Sequence, residues 1–178
     1  MSKLKEPPAV KLFLALLFNN DLDMENLVEV INNELGNIDY TSDVFDFCST
    51  RYYQEEMGND LKRQVLSFTK LIKREQLVDI KILANDIESR FCDSKGNRTV
   101  NLDPGYIAAE HLILATGKGY YHRPYLGSGV YADLTLVYQN NSFKGLEWTY
   151  PDYKLDHMQE IFMNIRDIYM KDPGKELT

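Results

Sequence analysis

The sequence predicts an α+β domain: one mainly antiparallel sheet with helices packed on it. Three observations carry this. A nine-residue run, Val10–Phe18, is almost wholly apolar. Three later stretches repeat apolar residues at helical spacing. The C-terminal half alternates strand-like segments with Gly, Asn and Pro turn signals.

Val10–Phe18 (VKLFLALLF) is apolar on both alternating sets except at Lys11, so it reads as an interior strand covered on both faces. Met24, Leu27, Val28, Ile31 and Leu35 then mark a helix over 24–35, stopped by Gly36. Ile38–Phe47 reads as one or two short strands, and Arg51–Asn59 as a loop or a single helical turn. Lys62–Ile72 reads as a strand from its β-branched and aromatic content. Leu77, Ile80, Leu83, Ala84, Ile87 and Phe91 line one face of a helix over 76–92.

Asp93–Asn97 is a turn, and Asp103-Pro104-Gly105-Tyr106 has the residue order of a type II turn. His111–Thr116 is a short strand. Tyr120–Tyr125 and Gly129–Gln139 form a hairpin around Leu126-Gly127-Ser128-Gly129, and a second turn at Asn140–Ser142 leads to Phe143–Trp148. Leu155, Met158, Ile161, Phe162, Ile165, Ile168 and Tyr169 mark a final helix over 155–170. The order strand, helix, strand, strand, helix, strand matches a ferredoxin-like βαββαβ core, followed by an added β-hairpin and a C-terminal helix. Such a sheet carries its helices on one face. All 178 residues are expected in a single domain with an ordered core of about 10–170.

Composition narrows the function. A formal net charge of −7 argues against a general binder of nucleic acid or of anionic membranes, which need excess Lys and Arg. The apolar run at 10–18 is too short to span a bilayer. Cys48 and Cys92 form no CxxC pair, and both are expected reduced and half buried in a cytoplasmic protein. The twelve Tyr and eight Phe suit cores and half-open pockets alike.

Several segments recur in a fixed order: Val10-Lys11-Leu12-Phe13, YYQEEMG at Tyr52–Gly58, LKRQVLSF at Leu61–Phe68, NLDPGY at Asn101–Tyr106, HRPYL at His122–Leu126, VYADLTL at Val130–Leu136 and WTYPDY at Trp148–Tyr153. Together they resemble the prokaryotic family named domain of unknown function 4416, over roughly Val10 to Tyr169. The resemblance implies one domain and no established activity. Some members carry a GTP-binding label.

The residues do not support a phosphate loop. GxxxxGK[ST] is absent, and Gly117-Lys118-Gly119 lacks both the first glycine and the following hydroxyl. Cys48, Cys92, His111, His122 and His157 are too scattered for a zinc site, so no metal is expected. His157 with Glu160, and Glu110-His111 near Asp103, are explained more simply as a solvated helix face and a turn. No GxSxG elbow occurs.

A basic and aromatic set stands out: Arg51, Tyr52, Tyr53, Lys62, Arg63 and Lys70, with Lys118, His122 and Arg123. Arg63, Arg123, Tyr52 and Tyr53 are the candidate ligand-binding residues. A guanidinium offers forked donors to a phosphate or carboxylate, and a Tyr ring stacks on a base. The plainer account pairs both arginines with Asp or Glu and leaves the lysines in solvent. Trp148–Tyr153 reads as a structural lid, with Asp152 capping its turn.

His122 and Asp133 are the candidate catalytic pair. If Gly127-Ser128 make a two-residue turn, Tyr125 faces Val130, Arg123 faces Ala132 and His122 faces Asp133. A carboxylate there would orient the imidazole like the orienting half of a general-base site. Arg123 would then lie on the opposite, apolar face with Val130, Leu134 and Leu136. A cross-strand ion pair is the structural alternative. Two function classes stay open: a domain that binds or transforms a small anionic or nucleotide-like ligand without a P-loop, and a protein-interaction or structural module with no chemistry. Cofactor, reaction and oligomeric state are unassigned by the sequence.

Overall fold

The computed structural model describes residues 3–49 and 53–176. Among them are nine strands and four α-helices. In chain order these are β1 (Val10–Phe18), α1 (Met24–Leu35), β2 (Ile38–Thr41), β3 (Phe45–Asp46), α2 (Gln54–Met57), β4 (Lys62–Ile72), α3 (Leu77–Arg90), β5 (Val100–Ile107), β6 (His111–Thr116), β7 (Tyr125–Gly127), β8 (Val130–Gln139), β9 (Ser142–Gly145) and α4 (Asp156–Lys171). The sheet order is β2-β4-β1-β5-β6-β8-β7, with β3 beside β4 and β9 beside β8. Every pairing among the described residues is antiparallel.

All nine residues of β1 are buried, between β4 and β5. Leu12, Leu14 and Leu16 face one core with Leu27 and Ile31 of α1 and Leu77, Ile80, Ala84 and Ile87 of α3. Phe13 and Ala15 face a second core with Met158, Phe162 and Ile165 of α4. The helices therefore lie on both faces of the sheet, not on one. The physical reason is in β1 itself: both of its alternating sets are apolar, so both need cover. Lys11, the exception in the run, is buried and pairs with Asp39, which also accepts from Ser67 at 2.7 Å.

The expected turn at Asp103–Tyr106 is instead the middle of β5. Pro104 and Gly105 pair with Leu14 and Phe13 of β1. Gly105 does not serve a left-handed turn. A Cβ on it would sit 2.5 Å from the Ile113 carbonyl oxygen and 2.5 Å from the Phe13 ring. Phe13 fills the space that a side chain here would need. Gly105→Ala is expected to destabilise the protein by about 3 kcal/mol, the upper part of the overpacking range, because one clashing atom is backbone. Urea unfolding checks this; a loss below about 1 kcal/mol would contradict it.

Pro104 has a second effect. Ala108 donates to the His111 carbonyl across the β5–β6 turn, so by alternation the main-chain polar groups of residues 106, 104 and 102 face β6. At 104 there is no N–H to give. Pairing with β6 runs only from Ile107 to Gly105 and stops there. Beyond it the two strands part. Leu102, left without a β6 partner, gives its N–H to Glu88 (2.7 Å) and takes a bond from Lys81 (3.0 Å). Two side chains of α3 thus stand in for a strand.

The β7–β8 hairpin turns at Ser128-Gly129, not Gly127-Ser128. Both residues have positive φ, 49° and 79°, as a type I′ turn requires. Gly127 faces Val130, and an irregularity then sets Tyr125 opposite Tyr131. Glycines on both sides of Ser128 let either position make the turn, so local sequence did not decide it. Residues 120–124 are not strand: Arg123 donates its N–H to the Tyr120 carbonyl in a tight turn. In β8 a bulge between Leu134 and Leu136 changes the facing of the strand. Leu134 packs on the first core and Leu136 on the second.

Candidate functional site

A cleft of about 820 Å³ opens where β5 and β6 part. Its floor is β5, through Asn101 and Asp103. One wall is α3 with Lys81 and Glu88, joined by Arg98. The other is the end of β6 and the loop to Lys118. Tyr150–Tyr153 closes the top, and Arg63, Arg123 and Asp133 reach in from β4, the 120–123 turn and β8.

Sheet register brings the key groups together. Leu17 pairs with both Arg63 and Asn101, so these three form one row across the sheet, and Asp103 follows two residues along on the same face. Arg63 is 4% exposed. Its Nη2 donates to Asp152 at 2.5 Å, while Nη1 lies 3.7 Å from Asp103. Nε and Nη1 have no hydrogen-bond acceptor. The guanidinium carbon sits 4.8 Å from the Phe47 ring centre. Burial works against its charge, but Tyr153, Asp152 and Asp103 outweigh that and pull its pKa up. The buried Asn101 Nδ2 and the Tyr153 hydroxyl also lack partners.

Asp152 does not cap its turn. Pro151 opens a short 3-10 turn, Pro151–Lys154, that carries Asp152 and Tyr153 inward. The segment is pinned by Trp148 Nε1 to the Leu134 carbonyl (2.9 Å), by Thr149 to the Thr135 carbonyl (2.5 Å), and by Tyr153 stacked on Phe162.

Arg123 differs from Arg63. Its Nε donates to Asp133 (2.8 Å), Nη1 to the Lys118 carbonyl (2.9 Å) and Nη2 to the Tyr150 hydroxyl (2.6 Å). All three nitrogens are used, and they tie the 117–123 loop to the lid. Arg123 is therefore not on a face opposite Asp133 but bonded to it. The shifted turn also ends the strand-pair argument for His122, which is off the strand. Its Nε2 still comes within 3.5 Å of Asp133, without a hydrogen bond, and neither ring nitrogen has a partner. The ring stacks on Trp148, 4.7 Å between centres at 16°, with Tyr120 and Tyr121 edge-on. His122 is not on the cleft wall; Asp133 is.

Tyr53 lines the cleft and meets Phe47 edge-on. Burial first, and then the charge of Asp103, raise its pKa. Tyr52 and Arg51 lie outside the described residues. Lys62 pairs with Asp46 at the surface, and Lys70 is exposed. Cys48 and Cys92 are exposed free thiols, not half buried. His111 opens β6, beside Tyr106 and Glu110, and Asp103 faces the cleft instead. Among the described residues no three His, Cys, Asp or Glu side chains gather as a metal site.

Three cleft residues carried no weight in the sequence: Lys81, Glu88 and Arg98. Arg98 donates twice to Glu56 (2.6 and 2.8 Å) and once to Glu88 (2.5 Å). Lys81 and Glu88 did leave a signal. They continue the buried helical stripe of Leu77 and Ala84, where a charge needs a partner.

Burial raises the Glu88 pKa above its ordinary 4.5, against the pull of Lys81, the Leu102 N–H and Arg98. The folded state then holds the proton more tightly than the unfolded chain. That contribution is fully present below pH 4.5 and is lost as pH rises through the folded value. Wild type is therefore expected to lose stability relative to Glu88→Gln as pH rises above 4.5. Urea unfolding of both proteins across that range checks the sign. A difference that is flat, or that grows in favour of wild type, would contradict it.

The family model of the domain of unknown function DUF4416 matches residues 8–169. The chain belongs to this family. No curated protein and no solved structure matches it. The cleft of this DUF4416 chain draws on segments of the match that are far apart in sequence, from Phe47 to Tyr153.

Proposed function

We propose that the cleft binds a small anionic ligand through Arg63, without a phosphate loop. One observation carries the reading: a buried arginine on the cleft wall keeps two guanidinium nitrogens, Nε and Nη1, without an acceptor. An unpaired buried donor costs about 1–3 kcal/mol, more when charged, and a ligand oxygen would remove that cost. The cleft volume suits a small molecule. Gly117 and Gly119 are outside the left-handed region, so no phosphate-cradling nest is built there. His122 and Asp133 take no catalytic role in this reading; they brace the 120–123 turn.

We read the half of the sheet ordered β2-β4-β1-β5, with α1 and α3 on one face, as a ferredoxin-like scaffold. That scaffold hosts many functions and does not by itself specify one. No helix among the described residues is long and apolar enough to cross a membrane. We place the protein in the cytoplasm, where its exposed thiols stay reduced.

A thermal-shift screen of carboxylates, inorganic phosphate and nucleotides tests the reading. A ligand at one hundred times its dissociation constant stabilises by about 2.7 kcal/mol. Arg63→Lys should abolish the shift, because an ammonium lacks the planar fork. The reading fails if no probe shifts the wild type, or if Arg63→Lys keeps the shift.

The interaction-module reading has its own support. Tyr120, Tyr121, Tyr125 and Leu126 form an exposed patch on the β7 side. It predicts weaker self-association of Tyr121→Ser/Tyr125→Ser by sedimentation; a monomeric wild type at high concentration removes that form of it.

A further inference from the structure

We infer that the ligand of the cleft is a zwitterion of the α-amino-acid type, bound by Arg63 at its carboxylate and by Asp103 at its ammonium. This rests on the anion-site reading above and narrows it.

Charge decides between ligand classes. The cleft wall carries five basic side chains against four carboxylates. Three pairs are closed within the protein: Arg63 with Asp152, Arg98 with Glu88, and Arg123 with Asp133. Asp103 is the remaining carboxylate; of the two remaining cations, Lys81 is bonded to the Leu102 carbonyl and Lys118 lies on the loop after β6. No hydrogen bond reaches it among the described residues, and its one charged neighbour is Arg63 at 3.7 Å. Its side chain is 28% exposed, open to the cleft. Arg63 thus lies between two carboxylates, and the immediate charge around it is negative. A polyphosphate brought there would meet Asp103 and Asp152 as like charges. A monocarboxylate would meet the same repulsion in smaller measure. A ligand that also brings a cation to Asp103 removes it.

Spacing sets the geometry of that ligand. The idle donor and the open acceptor are adjacent, 3.7 Å apart. A molecule that bonds to both must hold its anionic and cationic groups on one carbon or on neighbouring carbons, as an α-amino acid does. Asn101, two residues before Asp103 on the same face, adds an unpartnered N–H donor for the second carboxylate oxygen.

The test is calorimetric titration of the full chain with the twenty α-amino acids, their des-amino counterparts (propionate for alanine, 3-phenylpropionate for phenylalanine, and so on) and GTP. At least one amino acid should bind, and its des-amino partner about ten- to hundredfold more weakly, the worth of one charge-assisted hydrogen bond. Asp103→Asn should weaken binding of the amino acid and, by removing a like charge, bind the des-amino partner at least as well as wild type does, so that the advantage of the amino acid disappears. Should that variant not fold, the wild-type comparison of amino acid with des-amino acid decides alone. Equal binding of the two overturns the zwitterion and leaves the anion site standing. Tighter binding of GTP than of any amino acid does the same. Binding by none of the probes overturns both.

Discussion

Replacing Leu14 with Asp is expected to leave the chain without a stable fold. Leu14 is fully buried in the central strand, between Leu66 of β4 and Pro104 of β5. Removing the leucine side chain alone costs about 2–5 kcal/mol. Burying a carboxylate there adds several more, because Leu14 sits in an apolar cluster with Leu12, Leu16, Leu27 and Ile31. The sum approaches the whole stability of an ordinary domain, about 5–15 kcal/mol. Far-UV circular dichroism with urea unfolding reads the outcome, with Leu14→Ala as the calibrating variant. A Leu14→Asp protein as stable as Leu14→Ala would contradict an interior β1.

Asp152→Ala is the second large effect. It removes the one hydrogen-bond acceptor of a guanidinium that is 4% exposed, leaving it only the more distant Asp103. Breaking a buried pair in this way costs about 3–5 kcal/mol. The double variant Arg63→Met/Asp152→Leu should recover most of that loss, since an apolar pair of similar volume avoids the desolvation penalty. Chemical unfolding of the three proteins measures this. The double variant should still fail to bind ligand, which separates the stability role of the pair from the binding role of Arg63. A loss below about 1 kcal/mol in Asp152→Ala would mean the pair is a weakly coupled surface contact.

Periodicity made much of the fold readable. β1 and the three long helices follow from apolar spacing, and β4 from its β-branched and aromatic content, both of them local signals. Pro104-Gly105 shows where that stops. The dipeptide has turn chemistry, but its context is tertiary: Gly105 leaves room for the Phe13 ring, and Pro104 sits where a missing N–H ends a ladder. The same residue pair that misled the reading of β5 opens the cleft. The second-face position of α4 was implicit in β1, whose odd residues, Lys11 apart, are as apolar as its even ones.

The candidate site was readable only in part. A buried arginine needs an acceptor, and that rule singled out Arg63 and Arg123 alike. Which of them is left with idle nitrogens depends on Lys118, Tyr150 and Asp152, all distant in sequence from Arg63. Asp103 was hidden by the turn assignment. His122 and Asp133 come close for a reason other than strand register, through the turn at Tyr120–Arg123.

The central claim is that Arg63 is the ligand-binding arginine, and its side-chain resonance tests this most directly. In ¹⁵N-labelled protein the Arg63 Nε–Hε signal is the one missing from Arg63→Lys. Titration with the probes that raise the melting temperature should move that signal, as Nε or Nη1 gains an acceptor, and leave the Arg98 signal in place. Saturating ligand that shifts only Arg123 or surface tyrosine signals, with Arg63 unmoved, would contradict the account.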